Sequence, residues 1–387
     1  MGAKLHKYVW DYIDCQLGKT FLGFDIDKLL YISKTNVGYE FFYSTEFIEP
    51  LTYLTKAIDR YANLSLRGRQ MVKWWIINCL SNRLCIDNYL MENPSARDEC
   101  IVAPTIVVGL PRSGTTFLYN LLSQDDGYQW IKAWEAAMPV WPSKFGPDMR
   151  RKITIERFRQ QDVIAPEIRN IHNSEADGPE ECQVLLQNTF ECEIFPLTLR
   201  IPAYSEWLNK KSRAESYKFY LQQLKIFQHH RGRNPWLLKS PTHMFSLGDL
   251  LEVVPDARIV FIQRDPAETL PSACSLSYAL RRQFSNFVSK HEIGLEMKRQ
   301  FEIADLKAKS VICGLPTKQV AIVKYTDFIN DPMSAIDNIY DKFERKLTKS
   351  SRHQMSSYSQ IQSTMKRPAH IYSLSEFGLE IPNMKGF

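Results

Sequence analysis

Eight consecutive residues of the 387-residue chain gather most of its legible chemistry: Gly109-Leu110-Pro111-Arg112-Ser113-Gly114-Thr115-Thr116. A guanidinium and three hydroxyls sit in a loop bounded by two glycines. The apolar run Ile106-Val107-Val108 leads in, and Phe117, Leu118, Leu121 and Leu122 follow at helical spacing. The segment therefore reads as strand, loop, helix. Main-chain N–H groups in such a loop converge on an anion, and the helix start adds about half a positive charge. The spacing follows the phosphate-loop frame Gly-x-x-x-x-Gly-Lys-Ser/Thr, with Thr115 standing where the lysine belongs. The loop is expected to hold a phosphate-like group. It lacks the lysine that serves the β- and γ-phosphates of a nucleoside triphosphate.

Three further cations or hydroxyls follow apolar runs. Lys239 precedes Ser240-Pro241, a helix cap followed by a first-turn proline, and His243 lies in that first turn. Arg264 precedes Asp265-Pro266-Ala267-Glu268, another good helix start, and Ser272 lies about two turns further on. A guanidinium and a hydroxyl so spaced suit a second phosphate. Pro271 removes one helix hydrogen bond and is expected to kink that segment. Two sources of a general base stand out. Glu135 is a single carboxylate in the apolar stretch Trp134-Glu135-Ala136-Ala137-Met138. A cluster of Glu175, Asp177, Glu180 and Glu181 lies next to His172, and such a charge run also fits a plain solvated face. A buried carboxylate holds its proton more tightly and suits base work.

Four short apolar runs place these groups: 105–109, 235–239, 257–263 and 319–325. Helical patterns separate them, which is the signature of a parallel sheet buried on both faces. Ligands of such a sheet sit outside the carboxyl ends of its strands. The loop, Lys239, Arg264 and Tyr325 all fall at those ends. Residues 1–95 read as helices, with clear spans at 45–62 and 68–91, and Asn93-Pro94-Ser95 breaks the second. The stretch 145–230 reads as polar and mostly helical, a substrate-side insertion or lid.

Net charge is +6 and charged residues make up 24% of the chain. That mild, dispersed excess suits an anionic small ligand and argues against nucleic acid. The eight cysteines are scattered and show no metal-site spacing, so buried thiols and no bound metal are expected. The amino terminus shows no secretory pattern, and His6 stands where a myristoylation signal needs Ser or Thr, so a cytoplasmic location is expected. No window approaches a transmembrane span.

Five blocks in order resemble the sulfotransferases: Leu-Pro-Arg-Ser-Gly-Thr-Thr, Trp-Glu, Asp-Gly-Pro-Glu-Glu, Lys-Ser-Pro-x-His, and Pro-Asp-Ala-Arg-Ile-Val-Phe-Ile-Gln-Arg-Asp-Pro. The likeness is to the broad, largely bacterial branch that is also similar to tyrosylprotein sulfotransferases. Later features agree: Val323-Lys324-Tyr325-Thr326-Asp327-Phe328, and Tyr372-Ser373-Leu374 with Phe377-Gly378-Leu379. The likeness covers roughly 100–380, and residues 1–95 match nothing usable.

The resemblance implies an α/β fold, a P-loop-type parallel sheet flanked by helices. It would span 99–387, with 1–98 an added helical region and 145–230 the helical insertion. It implies the donor 3′-phosphoadenosine 5′-phosphosulfate, with no metal. Pro111, Arg112, Ser113, Gly114, Thr115 and Thr116 would bind the phosphosulfate. Arg264 and Ser272 would bind the 3′-phosphate, and Tyr325 would lie near the nucleotide. Lys239 and Arg112 would stabilise the transferring group, with Glu135 as base and His243 as runner-up. The acceptor is a small molecule, and hydroxyl and amine, lipid, carrier-bound chain, sugar and secondary metabolite all stay open. Two other classes also stay open: a P-loop kinase or nucleotide hydrolase, and a non-catalytic nucleotide-binding protein.

Overall fold

Four strands form one parallel sheet in the order β2-β1-β3-β4: β1 Thr105–Val108, β2 Leu237–Lys239, β3 Arg258–Gln263 and β4 Val320–Lys324. This is a computed structural model, and it describes residues 14–20, 22–164, 175–364 and 373–380. All four expected strands are present.

The sheet is buried on both sides, and the two-residue period sorts its side chains. Ile106, Val108, Ile259 and Phe261 face one apolar cluster, whereas Val107, Val260, Ile262 and Val323 face another. The second cluster is closed by Leu118, Leu121 and Leu122 of the helix Thr115–Leu122. β4 has the sheet's other edge, and its Ile322 is exposed.

The chain leaves β1 toward β2 on one side, then returns across the sheet to β3 on the other. The reversal lies between β1 and β3. Loops diverge there and open a crevice beyond the strand ends.

The N-terminal helices follow the expected spans, at Ile48–Tyr61 and Leu66–Glu92. Ser65 starts the longer one by accepting from the Gly68 N–H. Leu51, Leu54, Ile76 and Leu80 share the apolar cluster that contains Ile106 and Phe261. The expected polarity of 145–230 holds for the helix Arg150–Ile164 but not beyond residue 181. Phe190, Phe195, Tyr204, Tyr217 and Leu224 are buried in the same large cluster. Periodicity there was masked by tyrosines and glutamines that point inward. The helix Pro266–Arg282 runs on through Pro271, so no break occurs there. Residues 165–174, which include His172, and Tyr372 lie outside the described residues.

Candidate active site

The loop after β1 is held by close packing. A Cβ on Gly109 would lie 2.8 Å from the Ile262 carbonyl oxygen, so only glycine lets β1 end against β3. Gly114 has φ +95°, and a Cβ there would meet the Tyr325 ring at 2.9 Å. Arg112 also has positive φ, at 71°. Among the described residues, no side chain caps the helix that starts at Thr115. The Ser113 hydroxyl is fully buried and makes no hydrogen bond among the described residues. An uncapped helix start beside an unsatisfied buried hydroxyl fits an anion in the loop.

Strand ends bring the other candidates to this loop. Arg112 Nε donates to Ser272 Oγ at 3.0 Å. The unbroken helix through Pro271 makes that contact possible. Arg264 donates through Nη1 to the Arg112 carbonyl oxygen at 3.2 Å and through Nε to Glu268 at 3.0 Å. Its guanidinium lies 3.9 Å from the centre of the Tyr325 ring. Arg112, Arg264, Ser272 and Tyr325 therefore form one cluster around the loop. A cleft of about 480 Å³ opens beside it, between Arg264, Lys324 and Tyr325.

Lys239 is the last residue of β2, which pairs with β1, so its side chain emerges next to the loop. It is almost fully buried. Nζ donates to Thr116 Oγ1 at 3.0 Å and pairs with Glu181 Oε1. Gln183 Nε2 donates to the other Glu181 oxygen at 2.7 Å. Thr116, Glu181 and Gln183 face a second cavity of about 680 Å³ that begins at the loop. At its head a hydroxyl of the loop and a carboxylate meet, both bonded to the buried Lys239 ammonium.

Two of the sequence candidates for the base, Glu135 and His243, do not line this cavity. Glu135 is buried at the third position of the short helix Ala133–Ala137. Its carboxylate accepts from the Lys132 main-chain N–H and pairs with Arg231, and it is not on the cavity wall. These partners already occupy a helix-capping carboxylate. His243 is wholly buried in the turn after β2, with Nδ1 2.9 Å from the Tyr217 hydroxyl. Burial pushes its pKa down to about 3, which keeps the ring neutral. Pro241, Thr242 and Phe245 reach the cavity wall from that turn, and His243 does not.

The acidic cluster divides. Asp177 is tied on the surface to Arg151, whose Nε donates at 2.9 Å and holds the carboxyl below its usual range. Glu180 accepts from the Glu181 main-chain N–H at 2.9 Å. Glu181 alone of the four turns into the cavity. One sequence signal marked it: Glu181 directly precedes the apolar helix with Leu185 and Leu186, so its side of the chain faces inward. The tryptophans at 74, 75, 130, 134 and 141 do not line the cavity.

Comparison with known proteins bears on the family and the fold. The family model described as "Sulfotransferase family" matches residues 104–349. Curated relatives include the omega-hydroxy-beta-dihydromenaquinone-9 sulfotransferases Stf3 of Mycobacterium bovis and Mycobacterium tuberculosis. Each is 28% identical over 259 residues, which is 62% of this chain. The chain spans 63% of the length of those relatives. Among solved structures, sulfotransferase STF1 from Mycobacterium tuberculosis H37Rv superposes with a TM-score of 0.83 at 26% identity. That match covers 93% of this chain and 97% of STF1. STF9 from Mycobacterium avium superposes with a TM-score of 0.84 at 23% identity, covering 93% and 94%, and bears on the fold alone. The family match runs from the strand before the loop through Lys239, Arg264 and Tyr325, the same segments that converge here, and the chain belongs to the sulfotransferase family.

Proposed function

We propose that this protein transfers a sulfuryl group from 3′-phosphoadenosine 5′-phosphosulfate to a hydroxyl or amine of a small-molecule acceptor in the cytoplasm. The observation that carries the reading is Lys239 Nζ, bound on one side to the loop through Thr116 and on the other to the cavity carboxylate Glu181. When bound, the donor supplies an activated sulfuryl group and a phosphate leaving group.

The chain's own residues fit such a ligand. Loop N–H groups from Gly114 onward, with the Ser113 hydroxyl, are available to one anionic end. Arg112, Arg264 and Ser272 are joined by hydrogen bonds and supply two guanidiniums and a hydroxyl for a second phosphate. The Tyr325 ring, already stacked under Arg264, offers a face to a base.

Lys239 and Arg112 offset negative charge growing on the departing phosphate, and they do so in a water-poor setting where such charges act strongly. Glu181 accepts the proton of the acceptor group. It lies beside Lys239, so acceptor and transferable group meet at one point. Glu181 is preferred to Glu135 in this role because it lines the cavity and Glu135 does not. Metal is not required by this arrangement, since the cations are side chains.

The test is thermal stabilisation by 3′-phosphoadenosine 5′-phosphate against ATP with Mg²⁺, followed by transfer of radiolabelled sulfuryl to cell extract. Stabilisation by the first nucleotide and label appearing on a small molecule support the reading. Stabilisation by ATP with Mg²⁺ alone overturns it.

A further inference from the structure

We infer that the acceptor is an uncharged alcohol with an extended apolar body, laid along the helix Pro266–Arg282. The inference rests on the sulfuryl-transfer reading above and narrows its acceptor.

One stripe of that helix joins the two halves of the site. Ser272 contacts Arg112 at the loop, and Leu276 and Leu280 follow at four-residue spacing on the cavity wall. Eight residues at 1.5 Å each carry the stripe about 12 Å from the donor loop. The facing helix Lys290–Ile312 adds Met297 and Phe301, again four apart, and Ile194 and Leu197 close the trough. Leu276 and Leu280 remain half-exposed within it.

Three polar side chains beside the apolar stripe are already bonded to the protein. Glu296 pairs with Arg281 at 2.9 Å, and Glu193 pairs with Arg213. Gln300 accepts from Asn209 at 3.2 Å. A sugar brings many hydroxyls that would lose water along this wall without replacement partners, and each such loss is unfavourable. A charged acceptor likewise finds Glu193 and Glu296 each matched by an arginine. At the head of the cavity, Glu181 suits a neutral hydroxyl, and the buried Lys239 ammonium bonded to it already balances its charge, which leaves a substrate ammonium without a partner. Those groups leave one polar end and a long apolar remainder as the complementary ligand.

The experiment measures sulfuryl transfer to butanol, octanol, dodecanol and glucose by the full chain with the phosphosulfate donor. Stabilisation by 3′-phosphoadenosine 5′-phosphate is recorded in parallel. Each added methylene buried in the trough is expected to raise kcat/KM by up to about fourfold, levelling off once the chain exceeds the stripe. Leu280→Ser is expected to lower kcat/KM for dodecanol about tenfold, and for butanol less, with nucleotide stabilisation intact. Leu276→Ser serves as a second variant if the first loses stability. Nucleotide stabilisation with equal kcat/KM across the alcohols, or with glucose preferred, overturns the inference and leaves the sulfuryl-transfer reading standing. Absence of nucleotide stabilisation overturns both.

Discussion

Lys239 Nζ lies 3.0 Å from Thr116 Oγ1, so the end of β2 is tied directly to the first turn of the helix after β1. The parallel pairing of β1 and β2 sets this contact, because both strands end on the same edge of the sheet. The ammonium is nearly sealed from water, and its charge is balanced by Glu181.

Glu181→Gln is expected to lower kcat by about 10²- to 10⁴-fold while leaving nucleotide stabilisation in place, since an amide takes no proton. Glu135→Gln is expected to lower Tm, because a capping carboxylate paired with Arg231 is lost, without a kcat loss of that size. Steady-state kinetics and thermal melts on both variants separate the two carboxylates. A kcat collapse in Glu135→Gln with Glu181→Gln still active would reverse their roles. Lys239→Ala is expected to lose activity and also about 3 kcal/mol or more of stability, because it strands Glu181 in the interior.

The sheet was legible because each strand is a short β-branched run that needs both faces buried, as Ile106-Val107-Val108 and Ile259-Val260-Phe261-Ile262 are. The clustering of Arg112, Arg264 and Tyr325 was legible for the same reason, since parallel strands bring their carboxyl ends to one edge. The surroundings of Glu135 were not legible because its partner Arg231 is far away in sequence, and a lone carboxylate among apolar residues looks the same whether it caps a helix or faces a cavity. Glu181 was named only as one member of an acidic cluster, and charge alone did not separate it from members such as Asp177 that lie at the surface. Pro271 was expected to kink its helix, which nevertheless runs on as one element. One missing N–H near the helix start was too small a loss to interrupt packing that buries Leu270, Ala273 and Cys274.

Arg264 and Ser272 can be tested as a phosphate grip by subtraction. Arg264→Ala is expected to weaken 3′-phosphoadenosine 5′-phosphate about tenfold to a hundredfold, the worth of a hydrogen bond to a charged group. Binding of adenosine 5′-phosphate, which lacks the 3′-phosphate, is expected to change much less. Calorimetric titration of both nucleotides against both proteins gives the difference. Equal weakening of the two would mean that Arg264 acts through Tyr325 stacking instead.

Gly114→Ala places a methyl 2.9 Å from the Tyr325 ring in backbone of φ +95°. The left-handed conformation alone costs about 1–2 kcal/mol for a residue with a side chain. The loop and Tyr325 must then move apart. Nucleotide stabilisation is expected to vanish while the sheet stays folded, as read by circular dichroism. Full nucleotide binding in this variant would show that the loop tolerates the shift.

His243 gives the pH prediction. Its folded pKa is pushed down to about 3 by burial, against about 6.5 in the unfolded chain. Between these values the unfolded chain binds a proton that the folded one refuses. This group's contribution to stability is therefore complete above pH 6.5 and declines as pH falls toward 3. The slope approaches about 1.4 kcal/mol per pH unit below the unfolded pKa. Denaturant melts from pH 7.5 to 4.5 are expected to show that decline in the native protein and a flatter course in His243→Gln. Identical slopes would mean that the imidazole titrates in the folded state, restoring His243 as a candidate base.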